Sequence, residues 1–106
     1  AAACPVFLAV LKRFGPEGPS PITFALQGWT LALDIPTDVP GLAQLLDDMD
    51  DEVAQAGGRI YLTKDSRMSP ATFRAMYPKA KDFQLVRDRV DPQRKFRSDL
   101  SERLGL

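Results

Sequence analysis

Residues 57–67 read GGRIYLTKDSR, and this segment combines a helix stop, a predicted strand and two candidate functional residues. The double glycine supplies a left-handed stop for a helix that precedes it. The apolar residues after it predict a short strand from Arg59 to Thr63. Tyr61 and Lys64 lie three residues apart at the exit of that strand. Because strand ends that deliver a cation and a phenol into a crevice are common ligand sites, these two side chains are candidate functional residues. Lysines at strand ends also serve as solubility devices at sheet edges, so both interpretations stay open.

A helix is predicted immediately before the double glycine. Thr37 or Asp38 can cap it, and Pro40 suits its first turn. Its apolar face recurs at helical spacing and comprises Leu42, Leu45, Leu46, Met49, Val53 and Ala56. The other face carries an acidic run, residues 47–52, which we expect to be solvated. These carboxylates fan outward and lack the loop spacing and glycine of a calcium site. A metal-binding helix is therefore the weaker alternative, and no metal ligand is predicted.

Two strands are predicted in the first third of the chain. Residues 6–11 form a continuous apolar run that is typical of a buried strand. The side chains of residues 27–36 alternate, which predicts a core face made of Trp29, Leu31, Leu33 and Ile35 and a smaller, more polar face made of Thr30, Ala32 and Asp34. The polar face fits either solvent or a ligand cavity. We expect Lys12 to emerge beside Asp34, where a surface ion pair would contribute little to stability.

Short helices are predicted after residue 67. Ser69 is a helix N-cap followed by proline at the first helical position, and Pro78 ends that helix. A further helix over residues 81–90 is expected to direct its apolar side chains inward, namely Phe83, Val86 and Val90. Ser98 is expected to cap a last turn or two. The order strand, strand, helix, strand and then helices predicts an α+β fold with a small antiparallel or mixed sheet.

Composition excludes several classes of function. The 106 residues carry 14 Lys+Arg and 14 Asp+Glu, and this balance argues against a dedicated nucleic-acid binder. There is no His, which removes the commonest metal ligand and the commonest general base. Cys4 is the single cysteine, so no internal disulfide is expected. No apolar run reaches the roughly 18 residues of a membrane span, and no signal-peptide pattern is present. We therefore expect a cytoplasmic protein with no integral membrane segment.

The chain begins AAAC, without an initiator Met, and runs almost at once into an apolar segment. We interpret it as a portion cut from a longer polypeptide. The alternative is a free-standing small α+β ligand-binding or assembly module, in which a homo-oligomer covers the apolar helices of the tail.

Four segments keep their order and spacing in a way that resembles a known family. They are residues 7–15 (FLAVLKRFG), residues 28–36 (GWTLALDIP), residues 57–67 and residues 73–78 (FRAMYP). Together they are similar to the C-terminal portion of FAD-linked oxidases of the vanillyl-alcohol oxidase type, and most of all to the oxidase component of decaprenylphosphoryl-ribose epimerases and its bacterial relatives. The resemblance implies a larger two-domain flavoenzyme. Residues 1–59 would end its substrate-binding domain, and residues 60–106 would close its FAD-binding domain.

The resemblance also implies roles for individual residues. Lys64 matches a lysine that reaches the flavin and the substrate, and Tyr61 matches the tyrosine beside it, so both are implied to be catalytic and FAD-binding. The implied substrate-binding residues are Lys12, Phe14, Thr30, Ala32 and Asp34. In this chemistry an alcohol carbon of a sugar or sugar-lipid delivers hydride to flavin N5, and a cation stabilises the charge that builds on the reduced ring.

Two positions depart from the mycobacterial members of the family. They have Asn where this chain has Thr30, and Cys where it has Ala32. Both positions lie on the implied pocket wall, so the resemblance leaves the substrate open. Because most of the FAD site would belong to sequence absent here, we expect this portion alone to be inactive.

Overall fold

The computed structural model describes residues 4–106. Residues 1–3 lie outside the described residues. The prediction that the chain is a portion of a longer polypeptide rests in part on them. The elements are strands β1 (Leu8–Phe14) and β2 (Gly28–Asp34), helix α1 (Leu42–Gln55), a 3₁₀ turn (Leu62–Lys64), and helices α2 (Pro70–Met76), α3 (Ala80–Val90) and α4 (Asp99–Leu104). The α+β fold class is confirmed.

Strands β1 and β2 pair antiparallel, so that Leu8 lies opposite Asp34 and Lys12 opposite Thr30. The prediction of a core face on these strands is wrong within the described chain, because Trp29 is 67% exposed and Leu31 is 57% exposed. The first strand is not buried either, and Leu11 is 61% exposed. The physical reason is that neither strand packs extensively on any of the described helices.

Glycines flank helix α1 on both sides, with Gly41 before it and Gly57 just after its C-cap, Ala56. Its N-cap is Gly41 in the left-handed region, with no side-chain cap, so the predicted caps at Thr37 or Asp38 are wrong. Its predicted stop at the double glycine is confirmed. Gly57 has φ 72° and donates its N–H to Ala54 O at 3.0 Å, while Gly58 donates to Val53 O at 2.8 Å. These two bonds form a Schellman motif that satisfies the last carbonyls of the helix.

The predicted third strand over Arg59 to Thr63 is wrong. In the described chain β1 and β2 make the only sheet, and no strand lies beside this segment to pair with it. The carbonyl of Ile60 instead accepts the hydroxyl of Tyr77 at 2.5 Å. The chain then turns into the 3₁₀ segment, where Lys64 N donates to Tyr61 O at 3.1 Å.

The hydrophobic core lies among the helices. The buried residues are Met68, Phe73, Met76, Tyr77, Ala80 and Leu104, and Ile22, Val53, Ile60 and Leu100 pack against them. Helix α2 contacts both α1 and α4. The predicted inward side chains of α3 are partly wrong, because Val86 is 59% exposed and Val90 is 73% exposed. None of the helices in residues 4–106 is long and apolar enough to cross a membrane.

Candidate functional site

The five residues that were implied to bind substrate share one face of the hairpin. Paired residues of an antiparallel ladder point to the same side, and side chains alternate along each strand. The register therefore places Lys12, Phe14, Thr30, Ala32 and Asp34 together on one side. The opposite side carries Leu11, Trp29 and Leu31. We call the first side the polar face.

The polar face combines exposed charges with half-buried walls. Lys12 and Asp34 are exposed, whereas Phe14, Thr30 and Ala32 are half-buried. The expected proximity of Lys12 and Asp34 is wrong. Asp34 lies opposite Leu8, four residues from Lys12 along β1 and hence about 13 Å away. The two charges are therefore free to contact different parts of one extended ligand.

Phe24 connects the polar face to the second group of candidate residues. Its ring packs edge-on against Phe14 with centroids 5.8 Å apart, and it packs at a tilt against Tyr61 with centroids 4.9 Å apart. Edge-on and tilted contacts at these distances are favourable aromatic geometries. Phe14 and Tyr61, which are 47 positions apart in sequence, thus lie at the two ends of one row of aromatic rings.

Tyr61 and Lys64 lie at the two ends of a single tight turn. Tyr61 is the N-cap of the 3₁₀ segment and Lys64 is its last residue. Lys64 N donates to Tyr61 O at 3.1 Å, so the turn brings the backbones of these two residues together. Tyr61 is 43% exposed and Lys64 is exposed. No carboxylate of residues 4–106 forms an ion pair with Lys64.

The loop that follows Lys64 is fastened by Asp65. Its Oδ1 accepts the backbone N–H groups of Arg67 at 3.0 Å and Met68 at 2.9 Å, and its Oδ2 pairs with Arg103 at 2.8 Å. Arg103 also donates to Met68 O at 2.6 Å. Burial raises the pKa of Asp65, but these hydrogen bonds and the Arg103 charge outweigh it, so the pKa lies below its ordinary value.

Arg67 fastens the same loop to helix α1. It forms ion pairs with Asp47 and with Asp50, the latter at 2.9 Å. Burial raises the pKa of Asp50 even though Arg67 opposes the shift. The expected fully solvated acidic face is therefore wrong at these two positions, which hold an arginine. Residues 4–106 contain no group of three or more potential ligands that could hold a metal ion.

Arg59 was not singled out by its sequence, yet it is the most highly connected side chain near the site. Its guanidinium donates to Glu17 Oε1 at 2.9 Å, to Thr23 O at 2.7 Å and to Met76 O at 3.0 Å. It also lies over the Tyr77 ring, 5.3 Å from the centroid. Burial raises the pKa of Tyr77 to about 12. Arg59 therefore joins the loop after β1 to the helical core.

Phe24 and Glu17 were also missed by sequence reasoning. Both lie in the proline-rich segment between β1 and β2, which predicts only an irregular loop. The available signal was an aromatic residue within such a loop, since a large apolar ring is seldom left without a packing partner. Nothing in the local sequence of Glu17 indicates its partner 42 residues away.

The sequence model of one protein family, described as D-arabinono-1,4-lactone oxidase, matches residues 33–104. The chain is 48% identical over 103 residues to the "uncharacterized protein in mprA 5′ region" of Streptomyces coelicolor, a match that covers 97% of this chain and 28% of that protein. It is 41% identical over 100 residues to decaprenylphosphoryl-β-D-ribose oxidase of Mycolicibacterium smegmatis, covering 94% of this chain and 22% of that protein. The chain thus spans about a quarter of the length of these curated relatives.

Proposed function

Because the chain belongs to the D-arabinono-1,4-lactone oxidase family, we propose that it is the C-terminal part of an FAD-dependent oxidoreductase that oxidises an alcohol carbon of a sugar or sugar-lipid. The family match and the similarity to a sugar-lipid oxidase support the reaction class. One observation supports the assignment to particular residues. A tight turn, closed by Lys64 N donating to Tyr61 O, brings Tyr61 and Lys64 together, and Phe24 connects Tyr61 to Phe14 of the polar face.

The residues of this turn fit a flavin. The reduced isoalloxazine ring is anionic, and Lys64 is an exposed cation that no carboxylate of the described residues neutralises. The half-exposed Tyr61 ring offers a flat apolar surface and a hydroxyl beside it. When bound, FAD would supply the acceptor for the hydride that leaves the alcohol carbon. Lys64 and Tyr61 would hold the ring and the substrate oxygen in position.

The polar face would hold the rest of the substrate. Lys12 can hydrogen-bond a sugar hydroxyl or a phosphate-bearing group, and Asp34 can hydrogen-bond sugar hydroxyls farther along the face, while Thr30 lies directly opposite Lys12. Phe14 would form an apolar wall. Since Thr30 and Ala32 are small, they leave room on this face for a substrate that differs from the one oxidised by the mycobacterial relative.

We propose further that residues 1–59 complete the substrate-binding domain and residues 60–106 complete the FAD-binding domain. Each part supplies one half of the candidate site: the polar face comes from the first part and the Lys64 turn from the second. Because the chain spans about a quarter of its relatives, most of the FAD site would lie outside it, and the chain alone would be inactive.

The test uses the longer parent protein that this proposal requires. It should show a bound flavin spectrum, and Lys64→Ala should slow flavin reduction by roughly 10²- to 10³-fold, the usual effect of removing one charge-stabilising group. Lys81→Ala is the matched control, because Lys81 is an exposed lysine on α3 and should leave the rate unchanged. A colourless parent, or a stable 106-residue monomer that binds a small ligand without flavin, would favour the free-standing module instead. An unchanged rate in Lys64→Ala would contradict the role of this residue.

A further inference from the structure

We propose that Arg59 and Glu17 are positioning residues that set the contact between Phe24 and Tyr61, and thereby the shape of the site between the polar face and the Lys64 turn. This inference rests on the proposed function for its catalytic meaning. The contact itself is a property of the fold that can be tested without any flavin.

The guanidinium of Arg59 reaches two separate parts of the chain at once. Nη1 donates to Glu17 Oε1 and Thr23 O, both in the loop between β1 and β2, while Nε donates to Met76 O at the end of α2. Only 8% of the side chain is exposed. A planar guanidinium presents several donors in a fixed arrangement, whereas a lysine ammonium in its place could not reproduce these three bonds.

Each ring of the Phe24–Tyr61 contact lies next to a fixed backbone position. Thr23, whose carbonyl Arg59 binds at 2.7 Å, directly precedes Phe24. Ile60, whose carbonyl Tyr77 binds at 2.5 Å, directly precedes Tyr61. Arg59 is adjacent to Ile60 in sequence and lies over the Tyr77 ring. One connected set of contacts therefore fixes the backbone next to both Phe24 and Tyr61.

Glu17 completes this set as the carboxylate partner. It accepts from Arg59 at 2.9 Å and from Lys79 at 3.3 Å, and the hydrogen bonds from these two residues hold its pKa below the ordinary value. Glu17 therefore neutralises a nearly buried guanidinium and ties the loop that carries Phe24 to the start of α3. Besides the bonds that Glu17 and Thr23 form with Arg59, the loop is attached to the hydrophobic core through Ile22. Loss of Glu17 should let the loop move while the helical core stays folded.

The experiment compares Glu17→Ala, Glu17→Gln and Glu52→Ala in the full-length parent. Hydrogen exchange of peptides covering residues 17–27 reports on the loop, in which Thr23 N–H donates to Ser20 O at 3.2 Å and supplies the protected amide. Steady-state kinetics reports on the site. Glu17→Ala should speed exchange of this amide by roughly 10-fold, because it removes the charge-assisted hydrogen bond from the nearly buried Arg59, while the lost contact with the exposed Lys79 contributes little. It should raise KM by a similar factor and leave kcat within about 2-fold, because the loop shapes the binding site without touching the reacting atoms.

Glu17→Gln should restore much of the exchange protection and of KM, since its amide oxygen still accepts from Arg59. Glu52 is an exposed glutamate on α1, so Glu52→Ala should change neither quantity. Unchanged exchange over residues 17–27 in Glu17→Ala would overturn the proposal, and so would faster exchange with unchanged KM. A flavin-free parent would sink the proposed function alone, because the exchange result still decides whether Glu17 and Arg59 hold the loop.

Discussion

The hairpin and the helical part of this chain are both rich in apolar residues, yet they bury them very differently. Phe73, Met68 and Leu104 are each 1% exposed, whereas Trp29 is 67% exposed and Phe7 is 82% exposed. The helices surround a shared centre, while the two strands offer both faces to their surroundings. Alternation in a sequence therefore identifies the residues that share a face of a strand. It does not indicate whether other residues of the same chain cover that face.

The comparison has a thermodynamic meaning. Two-stranded hairpins are marginally stable on their own in water, and a hydrophobic face gains free energy only when something covers it. In the 106-residue chain the helical part should therefore supply most of the free energy of unfolding. In the longer parent that we propose, the face with Trp29 and Leu31 should contribute as well.

Matched leucine substitutions should give the largest effect. Leu104→Ala removes a side chain that is 1% exposed and should lower the free energy of unfolding by about 2–5 kcal/mol. Leu31→Ala removes one that is 57% exposed and should change it by no more than about 0.5 kcal/mol in the 106-residue chain. Urea unfolding followed by circular dichroism measures both values. Equal losses for the two variants would mean that the hairpin has a core of its own.

Gly58→Ala should show the next largest effect, because it tests how tightly the helical part is packed. A Cβ at Gly58 would lie 2.8 Å from Val53 Cγ1 and 3.1 Å from Val53 O. Such overpacking should cost about 1–3 kcal/mol, measured by urea unfolding. Gly15→Ala is the control beside the hairpin, since a Cβ there meets no atom within 4 Å. If the two alanine variants were equally stable, the C-terminal end of α1 would be able to shift enough to accommodate a Cβ at residue 58.

Asp65→Asn should produce the smallest loss of stability, and this loss should depend on pH. Asn keeps an oxygen for the two backbone N–H groups but loses the ion pair with Arg103, so the loss at pH 7 should be about 1 kcal/mol. The folded pKa of Asp65 lies below its ordinary value of 3.8, so its contribution is present above that pH and is lost as the pH falls through the folded pKa.

The measurement for this variant is the free energy of unfolding from pH 7 down to pH 2. The difference between the parent sequence and Asp65→Asn should shrink below about pH 4. Asp51→Asn on the exposed face of α1 serves as control and should show no such convergence. A difference that stays constant with pH would mean that the charge of Asp65 contributes nothing to stability.

Local signals in the sequence predicted the helix boundaries well where a specific cap exists. Ser69 accepts the N–H of Thr72 at 3.0 Å, and Ser98 forms a reciprocal capping box with Ser101. The double glycine ends α1 as expected. These predictions succeed because a cap is determined by two or three neighbouring residues.

The third strand and the role of Arg59 could not be predicted for the opposite reason. A short segment with apolar residues becomes a strand only if another strand lies beside it, and here the Tyr77 hydroxyl donates to the Ile60 carbonyl instead. The partners of Arg59 lie 36 and 17 residues away, in a loop and at a helix end. Alternation predicted that Thr30, Ala32 and Asp34 share a face. The register that places Lys12 opposite Thr30, and the link to Tyr61 through Phe24, could not be predicted from it.

The bonds from Arg103 to the backbone and side chain of residues 65–68 have a practical consequence for anyone preparing this protein. The turn that presents Lys64 is held by a side chain 39 positions later in the sequence, next to Leu104 in the core. Leu106 also packs against that core. A truncation before Arg103 would remove these bonds and would disturb a turn that lies 39 positions earlier in the sequence.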